Sequence, residues 1–100
     1  MKAVLLLHDK FTDEEGNLWE WVVWKVPVGR LHRDGVRYRM AFIPQGMRKP
    51  VVLYDNHHPK GHHKHIENLE LPYLFYSVAQ LRADFSIDVD LWKKAREKRS

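Results

Sequence analysis

Residues 54–65, with the sequence YDNHHPKGHHKH, hold five of the chain's seven histidines, together with two lysines and one aspartate. Histidine titrates near neutral pH, at a pKa of about 6.5, so it can act as a base or as an acid. Cleavage of RNA without a metal ion needs a base for the 2′-hydroxyl proton and an acid for the leaving 5′-oxygen. It also needs cations beside the phosphoryl oxygens. The segment contains side chains for all three tasks.

From this composition we predict a metal-independent acid–base centre. His63 and His65 are two positions apart, which puts them on the same side of an extended chain. They are predicted to act as base and acid, in an order that the sequence does not assign. Lysines and arginines are predicted to bind phosphate, tyrosines to stack on a base, and an aspartate to orient an imidazole or a lysine. The predicted catalytic residues are His63, His65, Lys60 and Asp55, and the predicted substrate-binding residues are Tyr54, Lys64, Arg37, Arg39 and Tyr73.

Two other interpretations stay open. His63 and His65, with His57 or Asp55, offer nitrogen and oxygen ligands for zinc, which would make the protein a metal-dependent nuclease. The cluster lacks cysteine and a helical His-x-x-x-His pair, so no metal ion and no cofactor are predicted. The other interpretation is a protein that binds nucleic acid or an acidic protein without catalysis, through a basic face that consists of the C-terminal tail and Arg30, Arg33, Arg37 and Arg39.

The composition is typical of one globular domain, residues 1–100. Apolar residues make up 44% of the chain, enough for a core, although a modest one at this length. There is no cysteine, so the chain has neither a disulfide framework nor a thiolate metal site. The apolar run near the N-terminus is too short for a membrane span or a signal peptide. We expect a cytoplasmic protein that does not interact with a membrane.

Charge is distributed unevenly along the chain. Residues 25–65 carry nine Lys or Arg against two Asp, and residues 93–100 carry five bases against one acid. Acidic stretches separate these two basic segments. The pattern predicts a polarised surface that can hold a polyanion.

The predicted fold class is α+β: an antiparallel sheet of about four to five strands, built from hairpins, with a C-terminal helix packed on one face. Apolar residues 2–8 predict a strand that is buried on both faces or pairs at the centre of the sheet. The turn-forming residues 13–17 join it to residues 18–26, in which Trp19 and Trp21 share one face.

The sheet is expected over about residues 2–55, followed by a His/Lys loop over about residues 56–70. Alternation within residues 36–44 puts Arg37 and Arg39 on one face of a strand and Tyr38 on the other. At the end of the sheet, Asp55 and Asn56 fit an Asx-type turn as well as they fit direct chemistry.

One helix is predicted, over about residues 77–98, with a basic tail. Ser77 begins a capping box that Gln80 completes. The segment from Ser86 to Asp88 weakens the helical pattern, so a kink or a break there stays open. Apolar residues that recur at helical spacing predict the stripe that packs on the sheet: Val78, Leu81, Phe85, Val89 and Trp92.

Several motifs resemble the TumE family. They are Tyr54-Asp55-Asn56, then Lys60-Gly61-His62-His63-Lys64-His65, then the stretch PYLFYSVAQLRADF that ends at Phe85. Together with the first hairpin, the resemblance covers the chain to about Phe85. The family pattern, YDN followed by KG-x-H-[RK]-H, falls on Tyr54, Asp55, Asn56, Lys60, Gly61, His63 and His65. His57, His58 and His62 occupy positions that vary in the family, and Pro59 stands where a small residue, often Gly, is usual.

The resemblance implies a toxin of a toxin–antitoxin module that acts on RNA. It also implies a helix-turn-helix antitoxin as the partner, which neutralises the toxin and represses the operon. Lys60, His63 and His65 lie on the family motif and are therefore the residues to test. A homo-oligomer also stays open.

Overall fold

The computed structural model describes residues 2–57 and 59–99, so the expectation for His58 lies outside the described residues. Within them, six strands form one antiparallel sheet in chain order, and a helix follows. This confirms the α+β prediction, with slightly more strands than expected. The elements are β1 (Val4–Thr12), β2 (Leu18–Lys25), β3 (Val36–Ile43), β4 (Val52–Asp55), β5 (His63–Ile66), β6 (Leu69–Pro72) and α1 (Val78–Arg99).

The additional strands, β5 and β6, lie largely in the segment that we expected to be a loop. They form a hairpin around Glu67 and Asn68, in which Glu67 adopts a positive φ of 56°. The amide of Glu67 donates to the carbonyl of Val51 at 2.7 Å and so fastens this turn to the sheet. Apolar alternation does not reveal β5, because its residues on both faces are mostly polar.

The first strand is at the edge of the sheet, not at its centre as we expected. β1 pairs only with β2, and the side chains of Val4, Leu5 and Leu6 are about half exposed. A β-bulge between Leu5 and Leu7 shifts the register there. In a sheet whose strands follow chain order, the first strand has a neighbour on one side only.

The core lies between α1 and one face of the sheet, called here the covered face. The helix contributes Leu81, Phe85 and Val89, all at most 1% exposed, from the stripe that the sequence predicts. Burial of a large apolar side chain stabilises the fold by roughly 1.5–3 kcal/mol. The facing sheet residues that are fully buried are Val23, Met40, Phe42, Val52 and Tyr54.

The helix runs without a break through Ser86 and Asp88. The hydroxyl of Ser77 accepts a hydrogen bond from the amide of Gln80 at 3.1 Å, as predicted. The side chain of Gln80 donates to Asp84 at 2.7 Å and does not return to Ser77. Half of the capping box therefore forms. Among the described residues, no helix has the length and apolarity needed to cross a membrane.

The turn of the first hairpin is attached to the helix through Asp13. Its carboxylate accepts hydrogen bonds from the indole of Trp19 at 2.8 Å, from the ammonium of Lys93 at 3.2 Å and from the amide of Asn17 at 3.0 Å. Burial opposes ionisation, yet the hydrogen bonds led by that of Trp19 hold the pKa of Asp13 well below its usual range.

We expect Asp13→Ala to lower the free energy of unfolding by about 2 kcal/mol at pH 7, because three donors lose a charged acceptor. The folded-state pKa is depressed, so this stabilisation is complete above the unfolded pKa of about 3.9 and decreases below it. Denaturant unfolding at pH 7 and at pH 3 measures the effect. Glu14→Ala removes the same charge at the exposed neighbouring position and serves as the control. A difference between wild type and Asp13→Ala that stays constant with pH would contradict the assignment.

Candidate active site

The face of the sheet opposite the helix, called here the open face, carries a row of residues that lie directly across from one another. In this row Arg39 on β3 faces Asp55 on β4, and Asp55 faces His63 on β5. Neighbouring strands are about 4.8 Å apart, so the register brings these side chains close together. The side chains of Asp55 and His63 are only 19% and 9% exposed, which shields their interaction from water.

Both nitrogens of the His63 ring contact an oxygen atom at hydrogen-bond distance. Nδ1 lies 2.8 Å from the carbonyl oxygen of Gly61, and Nε2 lies 2.9 Å from the Asp55 carboxylate. A carbonyl oxygen can only accept a hydrogen bond, so Nδ1 carries a proton. An ionised carboxylate is also an acceptor, so a second proton on Nε2 satisfies this contact. The geometry therefore suits a His63 imidazolium with Asp55 as its counter-ion.

His65 lies next to His63, with ring centroids 5.0 Å apart and ring planes at 81°. Its Nε2 is 3.4 Å from the carboxylate of Glu70, the residue opposite it on β6. The same Glu70 oxygen accepts a hydrogen bond from the Lys60 ammonium at 2.7 Å. This hydrogen bond raises the pKa of Lys60 and lowers the pKa of Glu70. The ligand atoms of His63, His65 and Glu70 lie within 4.8 Å of one another, so these side chains could hold a metal ion.

Beside the row, the open face forms a depression of about 560 Å³. Arg37 and Arg39 both line it, which confirms that they share a face, and the ring of Trp24 lines it with them. Arg39 lies 3.7 Å from the carboxylate of Glu20, whereas Arg37 forms no ion pair within residues 2–57 and 59–99. Both arginines are exposed. The depression therefore presents two arginines and an aromatic side chain to a ligand, and the carboxylates of Glu20 and Asp55 also line it.

Three of the predicted substrate-binding residues, Tyr54, Lys64 and Tyr73, lie on the covered face. The Tyr54 hydroxyl donates to the carboxylate of Asp88, and the Lys64 ammonium lies 2.9 Å from the same carboxylate. The Tyr73 hydroxyl donates to Asp84 at 2.6 Å. Burial first, and then these aspartates, raise the pKa of both tyrosines, so their hydroxyls stay protonated. Their position gives these residues a structural role, and their predicted substrate-binding role stays a prediction.

His62 takes part in a contact of its own, away from the row. Its Nε2 lies 2.6 Å from the Asp34 carboxylate, and its Nδ1 lies 2.9 Å from the Tyr38 hydroxyl. Its ring stacks on that of Phe75, with centroids 4.9 Å apart. These contacts fasten the loop before β3 to the start of β5. His62 therefore packs between elements and does not join the histidine pair.

His57 is exposed, and its amide donates to the Asp55 carboxylate at 3.1 Å, which is the Asx-type turn that the sequence suggested. Asp55 consequently forms the turn and contacts His63 at the same time. Among the described histidines of residues 54–65, only His63 pairs its ring with this carboxylate, and His65 lies beside the ring of His63.

Sequence reasoning missed the contributions of Glu70 and Trp24. The signal for Glu70 was a short polar turn, Glu67-Asn68, between the apolar residues Ile66 and Leu69; a two-residue hairpin turn there places Glu70 opposite His65. For Trp24 the signal is the alternation along β2, which puts it on the face opposite that of Trp19 and Trp21.

A family model described as "Toxin TumE" matches residues 8–93 of the chain, a span that includes the whole row and the depression. No curated protein and no solved structure matches the chain.

We expect Lys64→Met to lower the free energy of unfolding by about 2 kcal/mol, because the Asp88 carboxylate loses its ammonium partner at a site that is largely shielded from water. Denaturant unfolding measures the loss, and binding of a labelled RNA is compared at a temperature where both proteins are folded. Lys49→Met, at an exposed position between β3 and β4, is the matched control. Unchanged stability with lost RNA binding would place Lys64 at the substrate and not in the core.

Proposed function

Because the chain belongs to the TumE toxin family, and is therefore the toxin of a toxin–antitoxin module, we propose that it is a small endoribonuclease. In this proposal two histidines cleave RNA by acid–base chemistry without a metal ion. One observation carries it: the His63–Asp55 ion pair lies beside a second imidazole, that of His65, on the face of the sheet that the helix leaves open.

The two imidazoles divide the proton transfers between them. His65 takes the proton of the 2′-hydroxyl, whose oxygen then attacks the neighbouring phosphorus and forms a 2′,3′-cyclic phosphate. His63 shares its Nε2 proton with Asp55 in the free protein and gives that proton to the 5′-oxygen as the bond between this oxygen and phosphorus breaks. One proton is taken and one is given, so exchange with water restores the pair. His63 is assigned as the acid because both of its ring nitrogens contact hydrogen-bond acceptors, the Gly61 carbonyl at Nδ1 and the Asp55 carboxylate at Nε2.

Positive charge for the phosphate comes from both sides of the histidine pair. Lys60 is exposed and held by Glu70 in the free protein, so a phosphate can draw its ammonium away from that carboxylate. Arg37 and Arg39 lie along the depression, where they would bind the flanking phosphates. The ring of Trp24 offers a surface for base stacking, which contributes about 1–3 kcal/mol per base in proteins that bind single strands.

Membership of a toxin family implies an antitoxin partner. We assign this role to a helix-turn-helix protein encoded beside the toxin. A neighbouring reading frame with a helix-turn-helix pattern would support the genetic role, and it would leave the chemistry of the site to the biochemical test.

We expect His63→Gln and His65→Ala each to reduce cleavage of purified RNA by about 100-fold or more, because each removes one proton-transfer group. EDTA should leave the wild-type rate unchanged. Induction of the same variants in cells should no longer arrest growth. Gln at position 63 keeps a polar side chain at this buried position, and unfolding curves establish that each variant is folded.

The control is His8→Ala, which removes an exposed histidine on β1, at the far edge of the open face. It should cleave RNA like the wild type. Loss of wild-type cleavage in EDTA would favour the metal-dependent alternative. Folded variants that still arrest growth while no RNA is cut would contradict the catalytic assignment and favour binding through Arg37 and Arg39.

A further inference from the structure

Three side chains of the open face, those of His63, His65 and Glu70, are brought close together by the paired strands β5 and β6 and not by a loop. His63 and His65 alternate with Lys64 along β5, so they share a face, and Glu70 lies directly across from His65 on β6. One ligand atom from each of the three lies within 4.8 Å of the others. The register of the hairpin holds the group together, so little reorganisation is needed to bring the atoms to one point.

The ring of His63 is oriented as a metal-binding imidazole would be. Its Nδ1 donates to the Gly61 carbonyl at 2.8 Å, and histidines that bind metals usually donate their other ring nitrogen to a carbonyl or carboxylate. Its Nε2 lies 2.9 Å from the Asp55 carboxylate. Two electron-pair donors at that separation need a positive charge between them, and either a proton or a metal ion provides it.

In the free protein, the ammonium of Lys60 already contacts Glu70, the third of these residues. The Lys60 ammonium lies 2.7 Å from the Glu70 carboxylate, and the Lys60 side chain is 59% exposed. An exposed, flexible side chain is easily displaced. A metal ion and this ammonium therefore compete for the same oxygen.

We propose that His63, His65 and Glu70 bind a zinc-class divalent cation, and that this cation displaces Lys60 and switches the site off. Two imidazoles and carboxylate oxygen suit zinc, whereas magnesium and calcium prefer oxygen ligands alone. The switch rests on the proposed function, because an imidazole whose nitrogen binds metal cannot transfer a proton from it. The binding itself does not depend on that function.

Calorimetric titration of zinc into metal-free protein, in the absence of RNA, tests the binding. We expect one zinc ion per chain, and an affinity that falls about 100-fold in His65→Gln and about 10-fold or more in Glu70→Gln. Lys60→Met should change the affinity in the opposite direction, raising it several-fold, because the competing ammonium is gone. His8→Gln removes a histidine outside the group and should leave the affinity unchanged.

An affinity that falls equally in His65→Gln and His8→Gln would show binding by histidines in general and would overturn the site. A zinc affinity that falls in Lys60→Met would contradict the proposed competition between zinc and the Lys60 ammonium for Glu70.

Cleavage of RNA by metal-free protein, measured as zinc is added, tests the switch. We expect the rate to fall in step with zinc occupancy and to return when a chelator is added. In Glu70→Gln the midpoint of inhibition should move to a zinc concentration about 10-fold higher or more, in parallel with the measured affinity. Zinc that binds as described but stimulates cleavage, or leaves it unchanged, overturns the switch. A metal-free protein that cuts no RNA yet binds zinc in this pattern overturns the proposed function and supports the metal site.

Discussion

The alternation of side chains along β4 and β5 is the constraint on which the rest of the structure depends. On β4, Tyr54 lies in the core and its neighbour Asp55 lies on the open face. On β5, Lys64 faces the helix, whereas His63 and His65 on either side of it lie on the open face. A slip of one residue in the pairing would exchange the two sets completely. The contacts of Tyr54 and Lys64 with Asp88 therefore hold the register, and through the register they hold the site.

The open face is close to self-neutralised in the free protein. His63 is held by Asp55, Lys60 by Glu70 and Arg39 by Glu20. Carboxylates next to these cations offset the repulsion among them, so the cations can lie on one surface at little cost in stability. It also means that an anionic ligand must compete with carboxylates that are already in place. Tight binding therefore requires several contacts at once, which a polymer such as RNA provides and a single phosphate does not.

Periodic patterns of apolar residues in the sequence were sufficient to predict the helix and the first hairpin. The stripe from Leu81 to Val89 and the alternation of Trp19 and Trp21 each identify a buried face, because apolar burial leaves a regular trace. The β5–β6 hairpin leaves no such trace, since its outward residues are charged and its inward Lys64 is paired, not apolar. Side-chain types alone likewise could not separate Tyr54 and Lys64 from the histidines. That separation depends on strand register, a long-range property.

The order of the elements sets when the fold becomes stable during synthesis. The helix follows all six strands in the chain, and it supplies Leu81, Phe85 and Val89 to the core. Its 22 residues take about 1–4 s to translate at typical rates of about 5–20 residues per second. Until they are made, the apolar face of the sheet has no cover, and histidines already synthesised have no rigid support. A chain built in this order completes its core, and with it the support of the open face, only when its last element has been made.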